Sequence, residues 1–214
     1  MQVKQILVTT FFLGTFHIAQ AAPQTDEAAL CNQAMQDGDH AKALTHAEAA
    51  LERDAKDREA LLCKGRALSE AGQYELALAA MEAALQLSIS PLDRIVTLTL
   101  TGNVQRDAKH YDAALASYRQ SLTIAQAKQE KRFERINHNL IGEILIASNQ
   151  LDAGLKSYLA GAELAANDTE RADNFSRIAQ TYGSLRQYDQ AVNYQIKAML
   201  TLERSGDFNQ YAYA

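Results

Sequence analysis

The chain says nearly the same thing five times. "AGQYELALAAMEAAL" at residues 71–85 returns as "AKHYDAALASYRQSL" and "LRQYDQAVNYQIKAM". Aligned backwards, each copy is a helix, a short polar turn and a second helix. The copies are "EAALCNQAMQDGDHAKALTHAEAALERD", "REALLCKGRALSEAGQYELALAAMEAALQL", "IVTLTLTGNVQRDAKHYDAALASYRQSLTIA", "RINHNLIGEILIASNQLDAGLKSYLAGAELA" and "ADNFSRIAQTYGSLRQYDQAVNYQIKAMLTL". They follow one another at spacings of 34, 37, 40 and 37 residues. Self-similarity at that period means stacked supersecondary units, each too small to bury its own apolar face. Ala, Leu, Glu and Gln fill the copies, and these residues lose little on entering a helix. An all-α chain follows.

Small residues fix the register. The first helix of each copy has one at the eighth place: Cys31, Gly65, Gly102, Gly142 and Ala179. The second helix has one at the twentieth (Ala43, Ala77, Ala114, Gly154, Ala191) and at the twenty-seventh (Ala50, Ala84, Ser121, Gly161, Ala198). Antiparallel helices that cross closely cannot hold large side chains at the crossing. Leu30, Leu68, Met81, Tyr118, Ile141, Leu145, Tyr158, Ile178 and Tyr182 are expected to fill between units, with Tyr74, Tyr111 and Tyr188 packed under the turns. This pattern resembles the tetratricopeptide repeat family over residues 24–205. The resemblance implies an α-solenoid of five units, near residues 24–57, 58–91, 95–128, 135–168 and 172–205, wound as a right-handed superhelix. Only Pro91 lies near the unit end where the family often has Pro. The extra residues of the longer units are expected at the ends of second helices, near residues 88–93, 126–134 and 166–171.

The first residues are of another kind. "MQVKQILVTTFFLGTFHIAQAA" has one cation, Lys4, an apolar run, and Ala19 and Ala21 before Ala22-Pro23. That is the layout of a cleavable secretory signal over residues 1–21, which implies an extracytoplasmic, periplasmic protein with no membrane insertion after cleavage. The apolar run is short against the ~20 residues a spanning helix needs. Cleavage removes Lys4 and no acid, making the chain one unit more negative than its full-length −5. An acidic chain has no broad electrostatic attraction to nucleic acid. "KQEKRFER" (residues 128–135) interleaves its cations with Glu130 and Glu134 and reads as a solvated helix face.

Two features stay open. Cys31 and Cys63, on the first helices of adjacent units, either pair in an oxidising compartment or serve as two small core residues. "SGDFNQYAYA" after Arg204 starts a sixth first helix. It is a stub cap built on Phe208, Tyr211 and Tyr213, the remainder of a longer array, or an end that a partner or a second copy covers.

Family resemblance places ligand contacts on the first helices, which line the concave face. At the ninth and thirteenth places it implies Asn32, Arg66, Glu70, Asn103, Asp107, Glu143 and Gln180. At the fifth it implies Ala28, Leu62, Thr99, Asn139 and Ser176. The chargeable and amide side chains among them can grip a protein or peptide partner through its backbone. Nothing points to catalysis or a cofactor. His40, His46, His110 and His138 have no metal-ligand spacing, and neither a nucleophile elbow nor a phosphate loop occurs. A non-enzymatic interaction scaffold is the expectation, with a self-associating assembly subunit, or a truncated regulatory module of a larger repeat machine, contacting through its C-terminal end, as the alternative.

Overall fold

A computed structural model describes residues 26–205. Residues 1–21, read as a signal, and the end-contact residues Phe208, Tyr211 and Tyr213 lie outside the described residues. Those described form ten α-helices and no strand. The helices are α1 (Glu27–Gln36), α2 (His40–Arg53), α3 (Arg58–Glu70), α4 (Tyr74–Gln86), α5 (Pro91–Asp107), α6 (Tyr111–Lys128), α7 (Lys131–Ala147), α8 (Leu151–Glu163), α9 (Asp168–Ser184) and α10 (Tyr188–Ser205). Odd and even helices pair within a unit, and each even helix packs on the next odd one. Odd helices also touch across units, α1 on α3, α3 on α5 and α5 on α7, whereas no two even helices make more than marginal contact. The odd helices therefore line the inner wall of the solenoid.

Within each unit the two helices are joined by three residues whose central one is left-handed: Gly38, Gly72, Lys109, Asn149 and Arg186, with φ between 59° and 75°. The residue after it donates its N–H five residues back, as in Asp39 to Ala34 and Gln187 to Tyr182. This motif satisfies the last carbonyls of the first helix.

The longer units follow the sequence reading only in part. α6 does run on at its end, with 18 residues against 13 in α4, but the other extra residues extend the starts of odd helices. α5, α7 and α9 begin four residues earlier relative to the repeat than α3 does, and each has 17 residues against 13. The first of these extensions has a visible cause. Ser90 Oγ accepts the Asp93 N–H at 3.0 Å, Asp93 accepts the Ser90 N–H at 3.2 Å, and Pro91 takes the first helical place. This capping box satisfies two otherwise orphaned N–H groups. Hydrogen bonds from Ser90 hold the Asp93 carboxyl below its ordinary value of 3.8. Ser90→Ala should lower stability by about 1 kcal/mol, read from the denaturant midpoint. The cap's contribution is present above pH 3.8 and fades as pH falls through the lower native value. The gap between wild type and Ser90→Ala should therefore narrow in acid.

The stretch at residues 128–135 is not one solvated face. Lys128 ends α6, Gln129 is left-handed, and Lys131 opens α7. Glu134 is buried, and Arg135 bridges to Glu170 of the next unit at 2.6 Å. Arg58 makes the equivalent bridge to Asp93 at 3.0 Å.

Cores change along the array. The first unit is stitched by Cys31, Ala34, Ala43, Ala47, Cys63 and Ala67, and the middle units by Met81, Tyr118, Ile141, Ile144, Leu145 and Tyr158. A disulfide joins Cys31 of α1 to Cys63 of α3, with their Cα atoms 6.3 Å apart. Two expected fillers are exposed. Leu30 is 39% exposed because no unit precedes α1 among the described residues, and Tyr188 is 65% exposed because none follows α10. A buried polar network crosses from the third unit to the fourth. The Asn137 amide donates to Ser121 Oγ at 2.9 Å, and Thr99 Oγ1 lies 2.9 Å from that same hydroxyl.

Candidate functional site

Glycine at the eighth place shapes the inner wall. The Tyr118 ring of α6 lies against Gly102 of α5, and the Tyr158 ring of α8 lies against Gly142 of α7. A bare backbone there lets a ring from the outer helix pass between inner helices. The Tyr118 hydroxyl then donates to Asn103 Oδ1 at 2.8 Å. Burial pushes the Tyr118 phenol well above its ordinary range, with Arg106 opposing, so it stays protonated and a donor. Burial likewise raises Tyr158, opposed by Arg177, whose guanidinium carbon lies 5.9 Å from the ring centre.

Charged side chains link neighbouring inner helices. Arg66 Nη1 donates to Asn32 Oδ1 at 3.1 Å. Arg106 bonds Asp107 at 3.0 and 3.1 Å and reaches Glu143 at 3.5 Å. Burial alone would lower the pKa of Arg106, but its hydrogen bond to Asp107 and the charges of Asp107 and Glu143 raise it, so it is a fixed cation. The Ser69 hydroxyl donates to Asp107 at 3.4 Å.

These links surround an open cleft of about 310 Å³ between α1, α3 and α5. Met35, Leu100 and Val104 give it an apolar lining, and Arg66, Glu70, Asn103, Arg106 and Asp107 surround that lining with polar groups. Four residues singled out in the sequence, Arg66, Glu70, Asn103 and Asp107, thus meet in one place. Asn32 and Glu143 join through their arginines. Asn139 lies apart, its Oδ1 buried without a hydrogen-bond partner and turned toward Gly161. Gln180 is exposed on α9, away from the cleft.

The fifth places correct the sequence reading. Ala28, Leu62 and Thr99 are 8%, 4% and 7% exposed, so they belong to the core and face no ligand. Sequence reasoning missed Arg106, Met35 and Leu100. Arg106 and Met35 occupy the twelfth place of their units, next to the thirteenth-place residues already named. That adjacency was a usable signal.

Among the described residues no group of three or more His, Cys, Asp or Glu side chains is placed to hold a metal ion. No helix there is long and apolar enough to cross a membrane.

Models of the tetratricopeptide repeat match residues 56–127 and 172–200. The 40-residue spacing from the third copy to the fourth ends in the stretch between them. Characterised protein sequences give no match. Solved structures do. MamA from Desulfovibrio magneticus RS-1 is 22% identical, with a TM-score of 0.63 over 85% of this chain and 98% of that one. YrrB, described as a TPR protein with an unusual peptide-binding site, is 19% identical, with a TM-score of 0.57 over 82% and 84%. The apo form of RapI is 12% identical, with a TM-score of 0.71 over 85% and 70%. At such identities the likeness is one of fold.

Proposed function

The chain is a tetratricopeptide repeat protein, and on that premise we propose that it is a non-enzymatic scaffold that binds a protein or peptide along its inner wall. The carrying observation is the cleft between α1, α3 and α5, with charged and amide groups around an apolar lining. Asn103 and Asn32 are already engaged by Tyr118 and Arg66. A partner would therefore bond mainly to the free edge of the Arg66 guanidinium and to the Glu70 carboxylate, and would place one apolar side chain among Met35, Leu100 and Val104. Peptide binding by YrrB supports this reading as an analogy. The work site we propose is the periplasm. The leader-like residues 1–21 support it, and so does the Cys31–Cys63 bridge, since such bonds persist in oxidising compartments.

An immobilised random peptide library read with the protein lacking residues 1–21 tests the inner wall. Arg66→Ala with Glu70→Ala should weaken captured peptides at least about tenfold, the effect of losing ~1.4 kcal/mol. Its stability should fall by no more than about 1 kcal/mol, the contribution of the bond from the half-buried Arg66 to Asn32, because Glu70 is exposed. Equal capture by the wild type and the double variant would remove the inner-wall reading.

A further inference from the structure

The last helix exposes a continuous apolar ridge, whereas the other second helices expose one large apolar residue between them, Leu76 of α4. Tyr188, Val192, Ile196 and Leu200 of α10 are 65%, 57%, 44% and 53% exposed. They recur every fourth residue, over ~18 Å at 1.5 Å per residue. The end of an array naturally bares some of this. Leu115 and Leu155, the counterparts of Val192, are 7% and 8% exposed and packed in the cores that α7 and α9 complete. Ile196 and Leu200 are different. Leu200 stands where Gln86, Thr123 and Glu163 are exposed, and Ile196 where Glu82 and Arg119 are exposed and only Leu159 is partly covered. A following unit leaves those counterparts in water, yet α10 makes both places aliphatic.

We propose that this ridge binds a second copy of the chain, with two α10 helices packed antiparallel about a two-fold axis level with residue 194. Two i, i+4 ridges interdigitate when helices cross at about −50°. The axis sets Val192 level with Ile196 of the partner subunit, and Tyr188 level with Leu200 of the partner subunit. Head-to-tail stacking has no such match, because Leu30 is the one large exposed apolar residue on α1 and α2. Charge also selects the antiparallel arrangement. Asp189, Asn193 and Lys197 are exposed and form the next ridge. Asp189 would lie beside Lys197 of the partner subunit, and the two-fold repeats the pair. A parallel arrangement would set Asp189 against its own copy. Within the chain, Lys197 lies over the Tyr194 ring at 4.3 Å and makes no salt bridge among the described residues. Four partly exposed side chains fall short of the ~800 Å² each partner contributes to a standard interface, so the dimer is concentration-dependent. None of the inner-wall residues takes part, and either proposal can fail alone.

Sedimentation of the protein lacking residues 1–21, from about 1 to 500 µM, should show the mass rising from one chain toward two. Ile196→Lys should weaken association at least tenfold with helix content unchanged. Asp189→Lys and Lys197→Asp should each weaken it, and the two together should restore it to within about threefold. The proposal is overturned if the wild type stays monomeric, if Ile196→Lys still dimerises, or if the paired reversal restores nothing. A protein that dimerises only after residues 206–214 are removed also overturns it, because the tail would then be the ridge's cover.

Discussion

Replacing Cys31 and Cys63 together by Ser should destabilise the first unit by about 3–4 kcal/mol, the loop-closure contribution of a bridge spanning 32 residues. The effect should be local, for a reason of volume. Around the bridge the buried side chains are Ala28, Ala34, Ala43, Ala47, Ala50, Ala60 and Ala67. An alanine buries a single methyl, at about 0.8 kcal/mol for a group of that size. The middle units bury Met, Ile, Leu and Tyr instead. In a solenoid, stability is roughly a sum of unit and nearest-neighbour contributions, so the unit with the smallest core depends most on its cross-link. The denaturant curve of the double Ser variant should gain an early step, the loss of α1 and α2, ahead of the main transition. Hydrogen exchange should show those two helices losing protection first. Superimposable curves for the variant and the oxidised wild type would defeat the argument.

Gly102→Ala should be nearly as damaging, at about 3 kcal/mol, the upper end of ordinary overpacking. A Cβ at that position falls 2.4 Å from Tyr118 Cε1, 2.6 Å from Cδ1 and 2.9 Å from Cζ. The ring has nowhere to go. Tyr118 is 0% exposed, packed among Ala114, Leu115, Ile141, Ile144 and Leu145, and tied to Asn103 by its hydroxyl. Gly65→Ala is the comparison. Its new Cβ meets the flexible end of Met81 first, at 2.7 Å, so it should cost about 1 kcal/mol or slightly more. Shortening the ring should relieve the clash. In a double-mutant cycle, Gly102→Ala with Tyr118→Leu should show a favourable coupling of at least about 1 kcal/mol. Additive losses would mean that Gly102 matters for something other than the tyrosine.

The helical array was legible because its rule is written in residue size. A Gly that must sit under a Tyr shows in the string as Gly102 or Gly142, whatever surrounds it. Exposure at the two ends was not legible in that way. Tyr188 has the same place in its unit as Tyr74 and Tyr111, and it differs only because no described helix covers it. The extra turns on α5, α7 and α9 were misplaced because the repeat spacing counts residues without saying which helix receives them. At α5, the Ser90-Pro91-x-Asp93 signature was present and carried that information. The site was half visible. Positions nine and thirteen drew attention to Arg66, Glu70, Asn103 and Asp107. The bond from Arg66 to Asn32 crosses from one unit to the next, and that from Tyr118 to Asn103 crosses between the helices of one unit; periodicity encodes neither reach. Thr99 shows the opposite error, a polar residue at a ligand-facing place that instead bonds Ser121 and Asn137 in the core.

The bridge has a further effect through what it encloses. Cys31 lies in α1 and Cys63 in α3, so all of α2 and the turns at both of its ends lie inside a covalent loop. The second of those turns, residues 54–57, is exposed along most of its length and is the kind of segment where proteases cut. A single cut there leaves the chain in one piece. The flanking helices stay joined through sulfur, α1 cannot diffuse away, and the nicked protein can keep its shape. Fragments would separate on a gel only after a reductant is added.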